Sequence, residues 1–83
     1  MSRYEMSEVT LEMVKEFKRT YATVEVCTAT GAELLVVFCT SDVRIHTAGA
    51  AQIGGNEGGW YYDETALKEF SKFLKIIRKA YKE

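Results

Sequence analysis

A run of five large apolar residues is the strongest pattern along the chain, and it extends from Leu34 to Phe38. The run lies between a turn signal at residues 30–31 and a polar turn at residues 40–42. Because side chains alternate across a strand, a strand of these residues is apolar on both faces. The run is too short and too β-branched to favour a helix, which predicts a central strand over residues 33–39 with cover on both sides.

Alternating patterns on either side of this run predict two neighbouring strands. Residues 21–28 place apolar side chains on one face, namely Ala22, Val24 and Val26. Residues 43–47 place Val43 and Ile45 inward and Arg44 and His46 outward. Since both connections to the central strand are short, the three strands are predicted to form an antiparallel meander.

Helical periodicity appears at both ends of the chain. Residues 7–19 predict a helix with Ser7 as its N-cap, and its apolar arc comprises Met6, Val9, Met13, Val14 and Phe17. A second helix is predicted from an N-cap at Asp63 to about residue 82. Its apolar arc comprises Ala66, Leu67, Phe70, Phe73, Leu74, Ile77, Ala80 and Tyr81.

The segment between the third strand and the last helix has no clear period. It is rich in glycine, and either a mobile loop or a short hairpin that pairs residues 51–53 with residues 60–62 fits it. The predicted fold is therefore a single α+β domain over residues 1–83, in the order α-β-β-β-(β)-α. Either the two helices lie on opposite faces of the sheet, or both pack on one face and a partner covers the other face. The second arrangement predicts a homodimer.

Composition excludes several classes of protein. The 83 residues are 47% hydrophobic, which argues against disorder, and the formal net charge of −1 gives no overall attraction to polyanions. No apolar stretch approaches the roughly 20 residues of a membrane span, so no membrane partner is expected. Cations nevertheless concentrate near the C-terminal end, at Lys68, Lys72, Lys75, Arg78, Lys79 and Lys82.

The two cysteines, together with an N-terminal stretch that lacks the apolar core of an export signal, predict a cytoplasmic protein with reduced thiols. A turn at residues 30–31 places Cys27 opposite Leu34 and Cys39 opposite Ala22. This register predicts that the two thiols lie on opposite faces of the hairpin and form no disulfide.

His46, the single histidine, is expected on an outward strand face beside Arg44, where both side chains are available to a ligand. No spacing typical of a metal site or a catalytic set accompanies it. The glycine-rich loop that contains Asn56 lacks the Gly-Lys-Ser/Thr ending of a phosphate-binding loop. We therefore expect no catalytic residue, no metal and no cofactor.

Three consecutive aromatic residues, Trp60, Tyr61 and Tyr62, follow the glycine-rich loop. In a strand Trp60 and Tyr62 share one face and Tyr61 takes the other, so at least one ring is expected to be partly exposed. Exposed aromatic rings are typical anchors of a binding surface. The alternative is that Trp60 closes the core beneath the loop.

The α-β-β-β-α order resembles the topology of the double-stranded RNA-binding domain. The contact motifs of that family are missing here. The lysine cluster that opens the last helix is replaced by Tyr62-Asp63-Glu64-Thr65-Ala66, and the first strand–strand loop reads Ala29-Thr30-Gly31-Ala32 in place of Gly-Pro-x-His. The residues identify no family.

The leading hypothesis is a small non-enzymatic protein-interaction module, an adaptor, regulator or inhibitor that docks on a protein partner. Trp60, Tyr61 and Tyr62 would anchor the contact, and Arg44, His46 and Asn56 would complete it. The alternative is a nucleic-acid-binding protein in which aromatic rings stack on bases while Arg44 and the lysine-rich helix face contact phosphates. A third hypothesis is an enzyme or small-ligand protein that uses His46.

Overall fold

The computed structural model describes residues 2–29, 31–47 and 64–82. They form the strands β1 (Ser2–Glu5), β2 (Thr23–Cys27), β3 (Glu33–Phe38) and β4 (Val43–Thr47) and the helices α1 (Leu11–Thr20) and α2 (Glu64–Lys82), with a 3₁₀ turn at Met6–Glu8. This arrangement confirms the predicted α+β fold class. The predicted hairpin of residues 51–53 and 60–62 and the predicted N-cap Asp63 lie outside the described residues.

The four strands form one sheet in the order β1-β2-β3-β4. The β2-β3 and β3-β4 pairs are antiparallel, which confirms the predicted meander. Strand β1 is an addition that the sequence did not predict, and it pairs parallel to β2 with Ser2 opposite Val24. Parallel neighbours need a crossover connection, and α1 supplies it here.

Helix α1 begins at Leu11, later than the predicted start, and the N-cap is Thr10 instead of Ser7. The Thr10 hydroxyl oxygen accepts a hydrogen bond from the Met13 backbone N–H at 3.2 Å. Val9 has extended dihedral angles and separates the helix from the 3₁₀ turn. Met6 and Val9 are still buried as the periodicity predicted, because residues three apart share one side of a 3₁₀ turn.

Helices α1 and α2 pack on the same face of the sheet and contact each other. The core between them and the sheet includes Phe38 of β3, which is 1% exposed, and its ring centroid lies 5.2 Å from that of Phe17. Burial of each such large apolar side chain contributes about 1.5–3 kcal/mol. Leu67, which the periodicity assigned to the apolar arc of α2, is 40% exposed.

Polar contacts fix the C-terminal end of α2 against the rest of the domain. The Tyr81 hydroxyl donates a hydrogen bond to the Cys39 carbonyl oxygen at 2.6 Å. The Lys18 ammonium donates to the Ala80 carbonyl at 3.4 Å and lies 4.7 Å from the centroid of the Tyr81 ring. A cation at this end of α2 also interacts favourably with the helix dipole. The last turn of α2 is therefore attached both to α1 and to the end of β3.

The turn between β2 and β3 is one residue shorter than the predicted turn. Thr28 closes it, since its backbone N–H donates to the Ala32 carbonyl at 2.9 Å and its hydroxyl oxygen accepts from the Ala32 N–H at 3.0 Å. Gly31 supplies the left-handed backbone (φ 95°) that the turn requires. Cys27 consequently lies opposite Glu33 instead of Leu34.

This shift overturns the prediction that the thiols lie on opposite faces of the hairpin. Cys27 shares a face with alternate residues of β3, and Cys39 follows that strand in the same alternation. Both cysteines are nevertheless free. Their separation explains this, because Cys39 is roughly 20 Å along the strand from the position opposite Cys27. Within the described part of the chain, neither helix has the length and apolarity needed to cross a membrane.

The capping contact gives a first prediction. Replacing Thr10 by alanine should lower the free energy of unfolding by about 1 kcal/mol, because the Met13 N–H loses its side-chain acceptor. Ser7→Ala is the matched control and should change stability by less than about 0.5 kcal/mol, since Ser7 is exposed and outside α1. Urea unfolding followed by circular dichroism measures both values. A larger loss for Ser7→Ala would contradict the position of the cap.

Candidate interaction surfaces

The sheet face turned away from the helices is the first candidate surface, and we call it the open face. Its residues alternate with the core residues along each strand. Register places them in three rows, comprising Arg3, Glu25, Leu35 and His46, then Glu5, Cys27 and Glu33, then Thr23, Val37 and Arg44. Two of the predicted site residues, Arg44 and His46, therefore lie together on this face, and both are exposed.

Apolar side chains lie at the centre of the open face. Leu35 and Val37 alternate on β3 with the buried core residues, and both are only partly exposed. Glu25 and Thr23 flank them on β2, while His46 and Arg44 flank them on β4. The predicted strand with two apolar faces is thus present, but helices α1 and α2 cover only one of these faces.

Charge is divided across the open face. On the β1 to β3 side, Arg3 donates to Glu25 at 2.9 Å and pairs with Glu33 at 2.9 Å, so one cation connects two carboxylates. Glu5 adds a further exposed acid beside them. On the β4 side, Arg44 is exposed, and its ion pair with Asp42 is loose, at 3.6 Å. The open face therefore has an acidic half and a basic edge.

A possible metal-ligand set lies within the acidic half. The ligand atoms of Glu25, Cys27 and Glu33 lie within 4.8 Å of one another. The Arg3 guanidinium already pairs with both carboxylates. Burial raises the pKa of the Cys27 thiol, which keeps it protonated and a poor ligand near neutral pH. A metal ion would have to displace Arg3 and remove this proton, so the cluster is better described as an ion-pair network.

The predicted aromatic anchor is not tested by the structure. Trp60, Tyr61, Tyr62 and Asn56 lie outside the described residues. For His46, no hydrogen bond or ion pair is found within residues 2–29, 31–47 and 64–82. These described ranges therefore contain no acid–base pair built on this histidine.

A groove between the 3₁₀ turn and α2 is a second candidate surface, which the sequence reasoning missed. Its cavity volume is about 210 Å³, and its floor is apolar, with Met6, Val9, Phe73 and Ile76. Its rim is polar, with Ser7, Lys68, Glu69 and Lys72. The periodicity of each element signalled apolar residues at these positions, but it did not indicate that two elements far apart in the sequence would leave a gap between them.

The acid at the rim of this groove is already engaged. The Glu69 carboxylate accepts hydrogen bonds from the Ala29 backbone N–H at 3.0 and 3.2 Å. Lys68 and Lys72 are exposed and one helical turn apart, which places them side by side on α2. No ion pair to either lysine is found among the described residues. The groove therefore combines an apolar floor with two available cations.

The same helix carries a longer cationic stripe. Lys68, Lys72, Lys75, Lys79 and Lys82 follow one another at spacings of three or four residues, and all are exposed. The stripe and Arg44 lie on opposite sides of the sheet, because α2 packs against the face that Arg44 points away from. The structure therefore separates the cations that the nucleic-acid hypothesis grouped together.

Comparison with known proteins gives no relative: no family model matches the chain, and no curated protein and no solved structure matches it.

The acidic half of the open face gives a second prediction. In the folded protein Cys27 should react with a thiol reagent at pH 8 at least about tenfold more slowly than Cys39, because Cys27 is 5% exposed and burial raises its pKa. Single-thiol variants Cys27→Ser and Cys39→Ser, labelled with iodoacetamide and followed by mass spectrometry, separate the two rates. The rates should become similar in guanidinium chloride. Equal rates in the folded protein would contradict the burial of Cys27.

Proposed function

We propose that the protein is a small non-enzymatic, cytoplasmic protein-interaction module, an adaptor, regulator or inhibitor, that works as a homodimer. The observation that carries the proposal is the packing of both helices on one side of the sheet. This packing leaves Leu35 and Val37 at the centre of a face that none of the described helices covers. The lack of a described polar partner for His46 supports a role in binding over one in catalysis.

The charge pattern of the open face favours a second copy of this chain as its occupant. A twofold axis that runs parallel to the strands, between two facing sheets, places β4 of one copy over β1 of the other and β3 over β2. The basic edge of each copy, at Arg44, then lies over the β1 side of its partner, which belongs to the acidic half. An axis across the strands would instead place β4 of each copy over β4 of the other and bring the two basic edges together, so charge selects the first arrangement.

The size of the open face sets the strength of this dimer. Four strands about 4.8 Å apart and about five residues long, at about 3.3 Å per residue, give a projected area of roughly 300 Å². Stable complexes bury roughly 800 Å² on each partner. We therefore expect a weak dimer whose population depends strongly on protein concentration.

Sedimentation velocity across a concentration series tests the dimer. The unaltered protein should shift from monomer to dimer between about 10 µM and 1 mM, and Arg44→Glu should weaken the dimer about tenfold, because it places a negative charge opposite the acidic half of the partner. Arg78→Glu is the matched control, since it makes the same charge change on α2, away from the open face, and should leave the dimer unchanged.

Two outcomes would overturn the homodimer. One is a protein that stays monomeric at 1 mM, and the other is an equal effect of Arg44→Glu and Arg78→Glu. Circular dichroism spectra of both variants establish that each is folded. A second central variant, Val37→Asp, should abolish the dimer, since it puts an unpaired charge at the apolar centre of the interface.

Nucleic-acid binding remains a second candidate, and the cationic stripe of α2 is the observation that favours it. If four lysines of the stripe contact phosphates, the logarithm of the affinity for single-stranded RNA should fall with the logarithm of the salt concentration with a slope of about −3. Fluorescence anisotropy measures this slope. The double variant Lys75→Glu/Lys79→Glu should abolish binding, whereas Arg44→Glu should leave it unchanged. No binding at low salt would reject the candidate.

A further inference from the structure

The groove between the 3₁₀ turn and α2 lies on the helix side of the domain, away from the open face. Val9 and Phe73 on its floor are 4% and 1% exposed, so they form a rigid base that belongs to the core. Ile76 is partly exposed and forms the accessible apolar wall. An occupant of this groove would therefore contact side chains that the fold already holds in place.

The two lysines define the charge that an occupant must carry. Lys68 and Lys72 lie on the same side of the groove, one helical turn apart. Among the described residues that line the groove Glu69 is the single acid, and its carboxylate is oriented by two hydrogen bonds from the Ala29 N–H. The groove is therefore complementary to a ligand that places an apolar group on the floor and negative charges on the α2 side.

We propose that this groove is a docking site for an acidic peptide segment of a protein partner, with one bulky apolar side chain inserted between flanking carboxylates. This site rests on the proposed function of the protein as an interaction module, and it specifies the chemistry of the partner that the module binds. The apolar side chain of the peptide covers Ile76. The carboxylates that flank this side chain in the peptide pair with Lys68 and Lys72.

Size and chemistry favour a peptide over the other classes of ligand. A volume of about 210 Å³ is below the roughly 300–1,000 Å³ of typical small-molecule sites and suits a single anchoring side chain. A nucleic acid would use the lysines but would gain nothing from a floor made of Met6, Val9 and Phe73. The cationic stripe continues beyond the groove to Lys75, which extends the favourable field for an acidic chain.

Titration of the ¹⁵N-labelled protein by NMR tests the proposal with a set of three capped pentapeptides. The probe is Glu-Asp-Leu-Asp-Glu, and its controls are Glu-Asp-Ala-Asp-Glu, which lacks the anchor, and Gln-Asn-Leu-Asn-Gln, which lacks the charge. The probe should shift the amide signals of Met6, Val9 and Ile76. Each control should bind about tenfold more weakly, because each removes one of the two matched features.

Variants of the protein test which lysines bind the probe peptide. Lys68→Glu/Lys72→Glu should weaken binding of the probe by about tenfold or more, whereas Lys79→Glu, on the same helix outside the groove, should change it less than about twofold. Absence of binding, equal affinity for the leucine and alanine peptides, or an equal effect of Lys79→Glu would overturn the proposal. Sedimentation of the same samples reports the dimer separately, so failure of the groove and failure of the open-face dimer are distinguishable.

Discussion

The apolar character of β3 on both of its faces is the constraint on which the structure depends. Leu34, Val36 and Phe38 are buried under α1 and α2, while Leu35 and Val37 point to the other side. Two amphipathic helices that contact each other can cover only one face of a four-stranded sheet. The packing of α1 and α2 that buries the core therefore leaves the open face without either helix. The same packing stabilises the fold and provides a surface for binding.

Helix α2 has a different role along each part of its length. Its last turn is fixed by Tyr81 and by Lys18, which bond to the end of β3 and to the Ala80 carbonyl. Its first half borders the groove, where Lys68 and Lys72 stand beside apolar side chains. Because α2 is anchored at one end and by its buried face, the backbone positions of these lysines are fixed relative to the groove, which reduces the cost of binding a charged ligand.

Local patterns predicted most of the fold, because alternation and helical periodicity are properties of consecutive residues. They missed β1, since Tyr4 is the only large apolar residue in Ser2–Glu5 and this strand depends on pairing with a distant β2. They also misplaced the register of Cys27 by one position, because Thr28 bonds to Ala32 and closes a turn that is one residue shorter than the predicted one. The groove was beyond sequence reasoning for the same reason as β1: its walls come from opposite ends of the chain.

The short parallel strand β1 also determines how copies of this protein can associate. It forms one margin of the sheet, it is only four residues long, and it carries charges at Arg3 and Glu5. Short, charged margins discourage another strand from adding by backbone hydrogen bonds. The β1 margin therefore opposes the addition of strands from another copy, which would extend the sheet. As a result, the protein can be concentrated with less risk of forming fibrils, although one face of its sheet is partly apolar.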